Sequence, residues 1–336
     1  MKSPFTGKPM NIVKEWRTMS FRKEEFRVLF HFYKCDDTGE QFEDEDLVNL
    51  NYNQLVNQYR VKYSIPFPEK IKAIREKYHV SGNKMSEILG FGINNYRQYE
   101  KGEVPSQSNA RLIQLVEDPR ELRKLVNING ALGSSFKEKL NRNIEKLIEE
   151  QKKEKFKRQF EAYLFDSLLP GSFTGYKIPD LDKFSEMVLF FSEKLKPWKT
   201  KLNKLLFYAD FAMFQQTAFS ISGMKYQAIP MGPVPVKFNS IFEFLENNNK
   251  IEIFYQNFPD GGTGEQFLPA PGSKFREEAF SERELKILNL VANKFEKATT
   301  KEIIETSHQG KGWIENHEKR SVIDYSYGFD LISVCP

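Results

Sequence analysis

Apolar and polar residues alternate through Asn11–Phe21 and again through Glu25–Lys34, the period of a strand with one covered face. The chain therefore opens with a small antiparallel sheet rich in Phe, Val and Tyr. From Glu43 the period changes, and an acidic first turn precedes Leu47, Leu50, Leu55, Val56 and Tyr59. That pattern predicts an exposed amphipathic helix, and its charge and Asn/Gln content mark it as a connector leading away from the sheet. Pro66 and Pro68 then punctuate the chain, and helical spacing in short blocks from Glu69 to Val126 predicts five short helices. After a loop at 127–133, Ser135 and Glu138 have the S-x-x-E spacing of a capping box ahead of Leu140, Ile144, Leu147 and Ile148. This helix is expected to continue through Phe160 to Leu164.

Leu169–Pro179, with its Pro and Gly, marks a boundary. Phe184, Met187, Val188 and Phe191 then trace one helix face, and Leu202, Leu205, Leu206, Ala209 and Phe214 a second. A short strand around Met224–Ala228 leads to a rigid turn at Pro230, Gly232, Pro233 and Pro235, and a helix follows through Phe242 and Leu245. Lys250–Gln256 and Gly264–Leu268, divided by Pro259-Asp260-Gly261-Gly262, have the form of a hairpin. Ser281-x-x-Glu284 and Thr299-x-x-Glu302 open two further helices. The fold class that results is α+β and predominantly helical. Its expected parts are a β-ribbon with linker helix over 1–62, a helical bundle over 66–130, a connector helix over 134–168, and a C-terminal domain over 178–336.

Composition narrows the function. The 336 residues exceed one small module, and 30 Phe with 14 Tyr supply more than one core. The basic excess is only four residues, so a nucleic-acid surface has to come from local clustering. Arg120–Arg158 holds twelve Lys/Arg against six Asp/Glu, read first as a solvated helix face and second as a phosphate- or partner-contacting surface. Two distant cysteines, Cys35 and Cys335, make no disulfide framework. With no apolar leader and no membrane-spanning stretch, a cytoplasmic protein is expected.

The most informative segment runs from Lys70 to Val126. Ile71, Ile74 and Arg75 place a first helix, Met85, Ile88 and Leu89 a second, Gly90 a sharp turn, and Ile93 to Glu100 a third. This is helix-turn-helix spacing. The third helix would present Ile93, Asn94, Asn95, Arg97 and Gln98 to a major groove while Tyr96 and Tyr99 pack inward. Lys84 and Lys101 would flank phosphates. LGFGINNYRQYEKG followed by a Pro, then ARLIQLVEDPRELRKL, resembles the Xre-type helix-turn-helix, especially the version in MqsA-type antitoxins. The resemblance implies that Asn94 contacts a base. It also implies a groove contact at Gln98, where the family usually has Arg, so a different operator is expected. Such domains bind palindromic operators as homodimers.

The resemblance extends upstream. MqsA-type regulators begin with two C-x-x-C pairs around a β-ribbon, and the matching positions here are Ser3-x-x-Thr6 and Cys35-x-x-Thr38. One thiolate remains where tetrahedral zinc needs four ligands, and nearby His31 cannot close the site. No bound metal and no cofactor are expected.

The segment KLNKLLFYADFAMFQQTAFSISGMKYQAIPMGPVPVKFNSIF resembles the Panacea domain, found in antitoxins that neutralise many unrelated toxins and in the SocA-type antitoxin, a proteolytic adaptor. Its K-x-L-x-Y-A-D string and the Y-x-A-x-P-x-G-P-V-P string about twenty residues later carry the match. Tyr208, Tyr226, Met231 and Phe238 are the candidate toxin contacts. An acid–base site could be assembled on paper from Lys204, Tyr208, Asp210, His308 and His317. However, no Gly-rich phosphate loop, G-x-S-x-G, H-E-x-x-H or paired Cys/His set accompanies it, and Asp210 with Tyr226 is read as an internal hydrogen bond. The resemblances imply an antitoxin that neutralises a cognate protein toxin and represses its own promoter. Two alternatives stay open: a stand-alone regulator that senses a ligand or phage protein, and an adaptor that delivers a partner to a protease.

Overall fold

The computed structural model describes residues 1–153, 155–165, 168–258, 262–331 and 334, with the backbone alone over 151–153 and 155–158. Residues 259–261 of the expected hairpin loop, Cys335 and the side chains that end the basic run lie outside the described set. The chain divides into two compact units, one of residues 1–42 and 51–159, the other of 43–50 and 160–336.

In the first unit β1 (Asn11–Phe21) and β2 (Glu24–Lys34) pair antiparallel from Asn11 opposite Lys34 to Phe21 opposite Glu24. Arg22 and Lys23 turn the chain with positive φ at both positions, which suits the right-handed twist of a two-residue hairpin. The two residues of β3 (Gln41–Phe42) join the end of β2.

Helix α1 (Glu45–Lys62) is the first correction, because its polar face lies buried on the ribbon. Asn51, Gln54 and Gln58 share one helix face and occupy the place of a further strand. Asn51 accepts from the His31 N–H at 2.9 Å and donates to its carbonyl at 2.8 Å. Gln54 does the same with Leu29 at 3.0 and 2.8 Å, and Gln58 donates to the Arg27 carbonyl at 3.0 Å. A carboxamide carries the same donor–acceptor pair as a peptide group, so the helix closes a sheet edge that would otherwise stay open.

The five helices expected from 69 to 126 are α2 (Pro68–Lys77), α3 (Gly82–Leu89), α4 (Asn95–Glu100), α5 (Gln107–Leu115) and α6 (Pro119–Ile128). Ser81, Ser106 and Asp118 cap α3, α5 and α6 by accepting from backbone N–H groups. Helix α7 (Ser134–Lys153) starts at the expected residue 134, two residues before a Ser135 cap would start it, so Ser135 lies inside its first turn and does not cap it. Its Leu140, Ile144 and Ile148 are buried in the same core as Ile71, Tyr78, Met85, Tyr96, Ile113, Leu122 and Val126. Thus α7 is a sixth helix of the bundle, not a bare connector. Part of the basic run is neutralised there, by pairs such as Arg123 with Glu145 at 2.7 Å. The buried Arg60 guanidinium joins α1 to the bundle through the carbonyls of Pro66, Gly102 and Glu103 at 2.7, 3.0 and 3.2 Å. After α7 comes α8 (Lys155–Phe165).

The second unit is built around α10 (Lys199–Thr217), buried continuously from Lys201 to Phe214, as a helix surrounded by its own domain must be. Before it comes α9 (Leu181–Leu195), capped by Asp180. Strands β4 (Tyr226–Ile229) and β5 (Gly232–Pro235) form a hairpin around Pro230 and Met231. This corrects the expected turn, of which only those two residues are turn. The Val236 N–H donates to the Lys225 carbonyl at 2.8 Å, so by antiparallel alternation Pro233 and Pro235 fall at positions whose nitrogens face away from β4. Strand β5 is the sheet edge, the place where proline can enter a strand.

There follow α11 (Phe238–Asn247), β6 (Ile251–Asn257) and β7 (Thr263–Pro269). Next are α12 (Glu282–Phe295), α13 (Thr300–His308), α14 (Lys311–Ile314) and β8 (Val322–Ile323), which pairs with β4. Both expected capping boxes form, with Ser281 and Glu284 at α12 and Thr299 and Glu302 at α13. No described helix is long and apolar enough to cross a membrane.

Candidate functional site

The helix-turn-helix face is built by α3, the loop 90–94 and α4. Tyr96 and Tyr99 pack inward as expected. The Tyr96 hydroxyl donates to the Ile71 carbonyl at 2.8 Å, its N–H donates to Ser86 Oγ at 3.1 Å, and the Tyr99 hydroxyl accepts from Asn109 at 2.9 Å. Arg75 and Glu100 clamp the far end through contacts of 2.5 and 3.3 Å. These bonds fix the rotation of α4, so Asn94, Arg97, Gln98 and Lys101 face solvent.

Three details depart from the expectation. The helix begins at Asn95, which places Asn94 at its N-cap with no side-chain cap bond, and leaves Ile93 in the loop with 70% of its surface exposed. Asn95 is half-buried. Lys84 pairs with Glu87 at 2.6 Å and lies over the Phe136 ring, so its ammonium is already engaged. The stem of Arg97 rests on Gly82, where a β-carbon would stand 2.6 Å from Arg97 Cγ. Gly82 thus sets the position of Arg97, a relation that spacing alone does not reveal.

The four positions that correspond to zinc ligands do meet. Ser3 Oγ donates to Cys35 Sγ at 3.3 Å, and Thr6 Oγ1 lies 3.9 Å from the same sulfur. Hydrogen bonds from Ser3, from the Thr38 side chain and from the backbone N–H groups of Thr38 and Asp37 lower the buried Cys35 thiol to about 7. One sulfur and three hydroxyls do not fit a structural zinc, and no group of three or more His, Cys, Asp or Glu gathers among the described residues. Burial lowers His31 to about 4, which leaves its ring neutral, 2.7 Å from the Leu29 carbonyl through Nδ1.

In the second unit the two strings of the C-terminal motif are the two halves of one buried network. Asp210 Oδ1 accepts from the N–H groups of Ile221 and Ser222, each at 2.8 Å. Its Oδ2 accepts from the Ser222 hydroxyl at 2.5 Å and the Tyr226 hydroxyl at 2.7 Å. Burial pushes the carboxyl upward against these four donors. Tyr226 and Tyr208 are both buried, and Tyr208 stacks on Phe295. Neither offers a surface to a partner, which corrects their selection as contacts: the aromatic rings close the core. Met231 at the hairpin tip is 51% exposed and Phe238 is half-buried.

Lys204 donates to the Pro233 carbonyl at 3.0 Å. Gly232, at φ 91°, leaves room for it, since a β-carbon there would meet Lys204 Cε at 2.5 Å and Ser307 Oγ at 2.4 Å. His308 and His317 both stack on the Trp313 ring, with ring centroids 3.8 and 4.2 Å from it. Each residue of the paper acid–base site is thus engaged in its own local structure.

Burial lowers Lys204 to about 7, and a pH effect follows. Between pH 7 and the ordinary lysine value of 10.5 the unfolded chain holds a proton that the folded chain has shed. Stability therefore rises with pH across that window, by up to roughly 4–5 kcal/mol for this group, and the contribution is flat below it. Urea melts of wild type and Lys204→Met from pH 7 to 10 are expected to diverge, with wild type gaining more; parallel profiles would contradict the assignment.

Comparison with family models gives two matches. Residues 1–127 match the antitoxin component of bacterial toxin-antitoxin systems, MqsA, and residues 202–314 match the antitoxin SocA-like Panacea domain. Searches of curated proteins and of solved structures return no match.

Proposed function

From a chain that joins an MqsA-like antitoxin region to a SocA-like Panacea antitoxin domain, we infer an antitoxin that sequesters a cognate protein toxin through its second unit and represses its own promoter through α3 and α4. The observation that carries the reading is this union of two antitoxin families in one polypeptide. The exposed side chains of α4 support the DNA half, with Asn94 and Gln98 reading base edges, Arg97 beside them, and Lys101 on the phosphates. Binding as a homodimer to a palindromic operator is part of the proposal. Met231, on the Pro-rich hairpin tip, and Phe238 are the toxin contacts retained from the sequence.

Co-expression with the product of the adjacent gene tests the toxin half. Growth rescue and a purified complex are expected, and the absence of both would refute it. For the DNA half, replacing Asn94 and Gln98 together by Ala is expected to weaken operator binding by roughly 30-fold or more, at about 1–3 kcal/mol for each of the two lost bidentate contacts, while non-specific binding stays. An unchanged operator preference in a footprinting or mobility-shift titration would remove α4 from the groove.

A second reading, a regulator whose C-terminal unit senses a small ligand, is favoured by a cavity of about 290 Å³ lined by Phe207, Phe211, Phe295, Trp313 and Tyr327. A toxic neighbouring reading frame supports the antitoxin over the sensor.

A further inference from the structure

The hairpin of β6 and β7 has one occupied edge and one open edge. On the β7 side the Phe267 N–H donates to the Pro197 carbonyl at 2.9 Å, and Trp198 bridges to Gln266. Within the hairpin the Phe258 N–H donates to Gly262 at 2.7 Å and the Ala270 N–H to Lys250 at 3.2 Å. In this register the even-numbered residues of β6 bond to β7, and Ile253, Tyr255 and Asn257 turn their backbone groups outward. Glu246 Oε1 covers the Ile253 N–H at 3.3 Å. Among the described residues nothing bonds the outward N–H groups of Tyr255 and Asn257. A seven-residue edge ending in unfilled donors and acceptors is a template for another strand.

The side chains around that edge define what could be added. Phe254 and Tyr255 are 55% and 58% exposed, and Phe258 is exposed beside Trp198. Partial desolvation, and then the charges of Glu246, Glu265 and Glu243, raise the Tyr255 phenol, so these three carboxylates lie close to it. Glu252, on the same strand, is an exposed carboxylate. Glu265 is paired with Lys199 at 2.9 Å and Lys250 with Glu186 at 3.5 Å, which leaves Glu243, Glu246 and Glu252 without a paired cation among the described residues. In a chain of net charge +4 this is a local acidic field. It repels nucleic acid and favours an extended polypeptide carrying Lys or Arg.

We propose that the outer edge of β6 docks a basic, extended segment of the cognate toxin, which joins the hairpin as a third strand, its backbone on Tyr255 and Asn257 and its cations on the surrounding glutamates. This inference rests on the antitoxin reading and adds the surface to it. The full chain and the product of the adjacent gene are the probes. In the complex, hydrogen exchange of the amides across 253–257 is expected to slow by more than tenfold, and no slowing in a complex that does form would overturn the proposal. Tyr255→Pro removes an outward N–H without touching the β6–β7 ladder, and is expected to abolish growth rescue, whereas Tyr255→Phe retains it. The double variant Glu243→Lys with Glu252→Lys is expected to weaken association at least tenfold at low salt, and it decides the matter if the proline variant does not fold. Unchanged association of that double variant also overturns the proposal. If the wild-type chain itself forms no complex, the antitoxin reading falls and this surface loses its partner with it, an outcome distinct from a complex that ignores β6.

Discussion

A chain in which Ser3, Thr6 and Thr38 are all replaced by cysteine is expected to bind one equivalent of zinc, although the natural chain offers it a single thiolate. Four sulfurs around zinc at about 2.3 Å lie roughly 3.8 Å apart along each tetrahedral edge. Ser3 Oγ and Thr6 Oγ1 already stand 3.3 and 3.9 Å from Cys35 Sγ, and Thr38 bonds the same sulfur. The knuckle backbone therefore holds ligand spacing with hydroxyls in place of ligands. Hydrogen bonds hold the shape, and the thiol, near pKa 7, is ready to ionise. Structural zinc sites bind with apparent energies of about 10 kcal/mol or more at neutral pH. At zinc concentrations a thousandfold above the dissociation constant the coupling to folding is about 4 kcal/mol. The transition containing the ribbon should then rise by about 10 °C and fall back with a chelator, while wild type ignores both. Failure of the triple variant to compete for zinc with a nanomolar chelator would show that these four positions have drifted apart.

The legible parts of the fold are those in which local chemistry and tertiary role agree. The ribbon, the five bundle helices and the boxes at Ser281 and Thr299 appear where alternation, helical period and capping spacing place them. Misreadings arise where a residue does the opposite of its usual work. Asn51, Gln54 and Gln58 look like solvent-facing residues, yet their amides imitate a strand, and only their common helix face facing a strand edge could have signalled it. Pro233 and Pro235 read as turn because proline breaks central strands. Their spacing of two puts both missing N–H groups on one side, which an edge strand tolerates. For the candidate site, the outward set of α4 was readable from Tyr96 and Tyr99 pointing inward. The engagement of Lys84 by Glu87 and the seating of Arg97 on Gly82 depend on contacts between elements that spacing does not encode. Tyr208 and Tyr226 were mistaken for surface because aromatic residues are frequent at interfaces, whereas here Asp210 gives the Tyr226 hydroxyl a buried acceptor.

That acceptor makes Asp210→Ala the substitution with the greatest expected cost to the second unit. It would leave the N–H groups of Ile221 and Ser222 and the hydroxyls of Ser222 and Tyr226 facing a cavity at a fully buried position. Each orphaned donor costs about 1–3 kcal/mol. The four share one site and relax together, so the expected total is roughly 3–5 kcal/mol, as for a broken buried polar cluster. Asp210→Asn keeps one acceptor oxygen and the volume but turns an amide toward existing donors, so an intermediate loss is expected. In urea melts followed by tryptophan fluorescence, the transition of the second unit should shift while that of the first stays in place. A melt of Asp210→Ala within 1 kcal/mol of wild type would mean that the two strings of the motif are not held together by this carboxylate. The measured shift also bears on how the domain works. With Asp210 joining α10 to the segment that enters β4, and Lys204 joining α10 to β5, the hairpin tip at Met231 is held on a rigid base. Under the proposed antitoxin function, loosening that base is expected to lower affinity for the toxin by reducing the preorganisation of the tip.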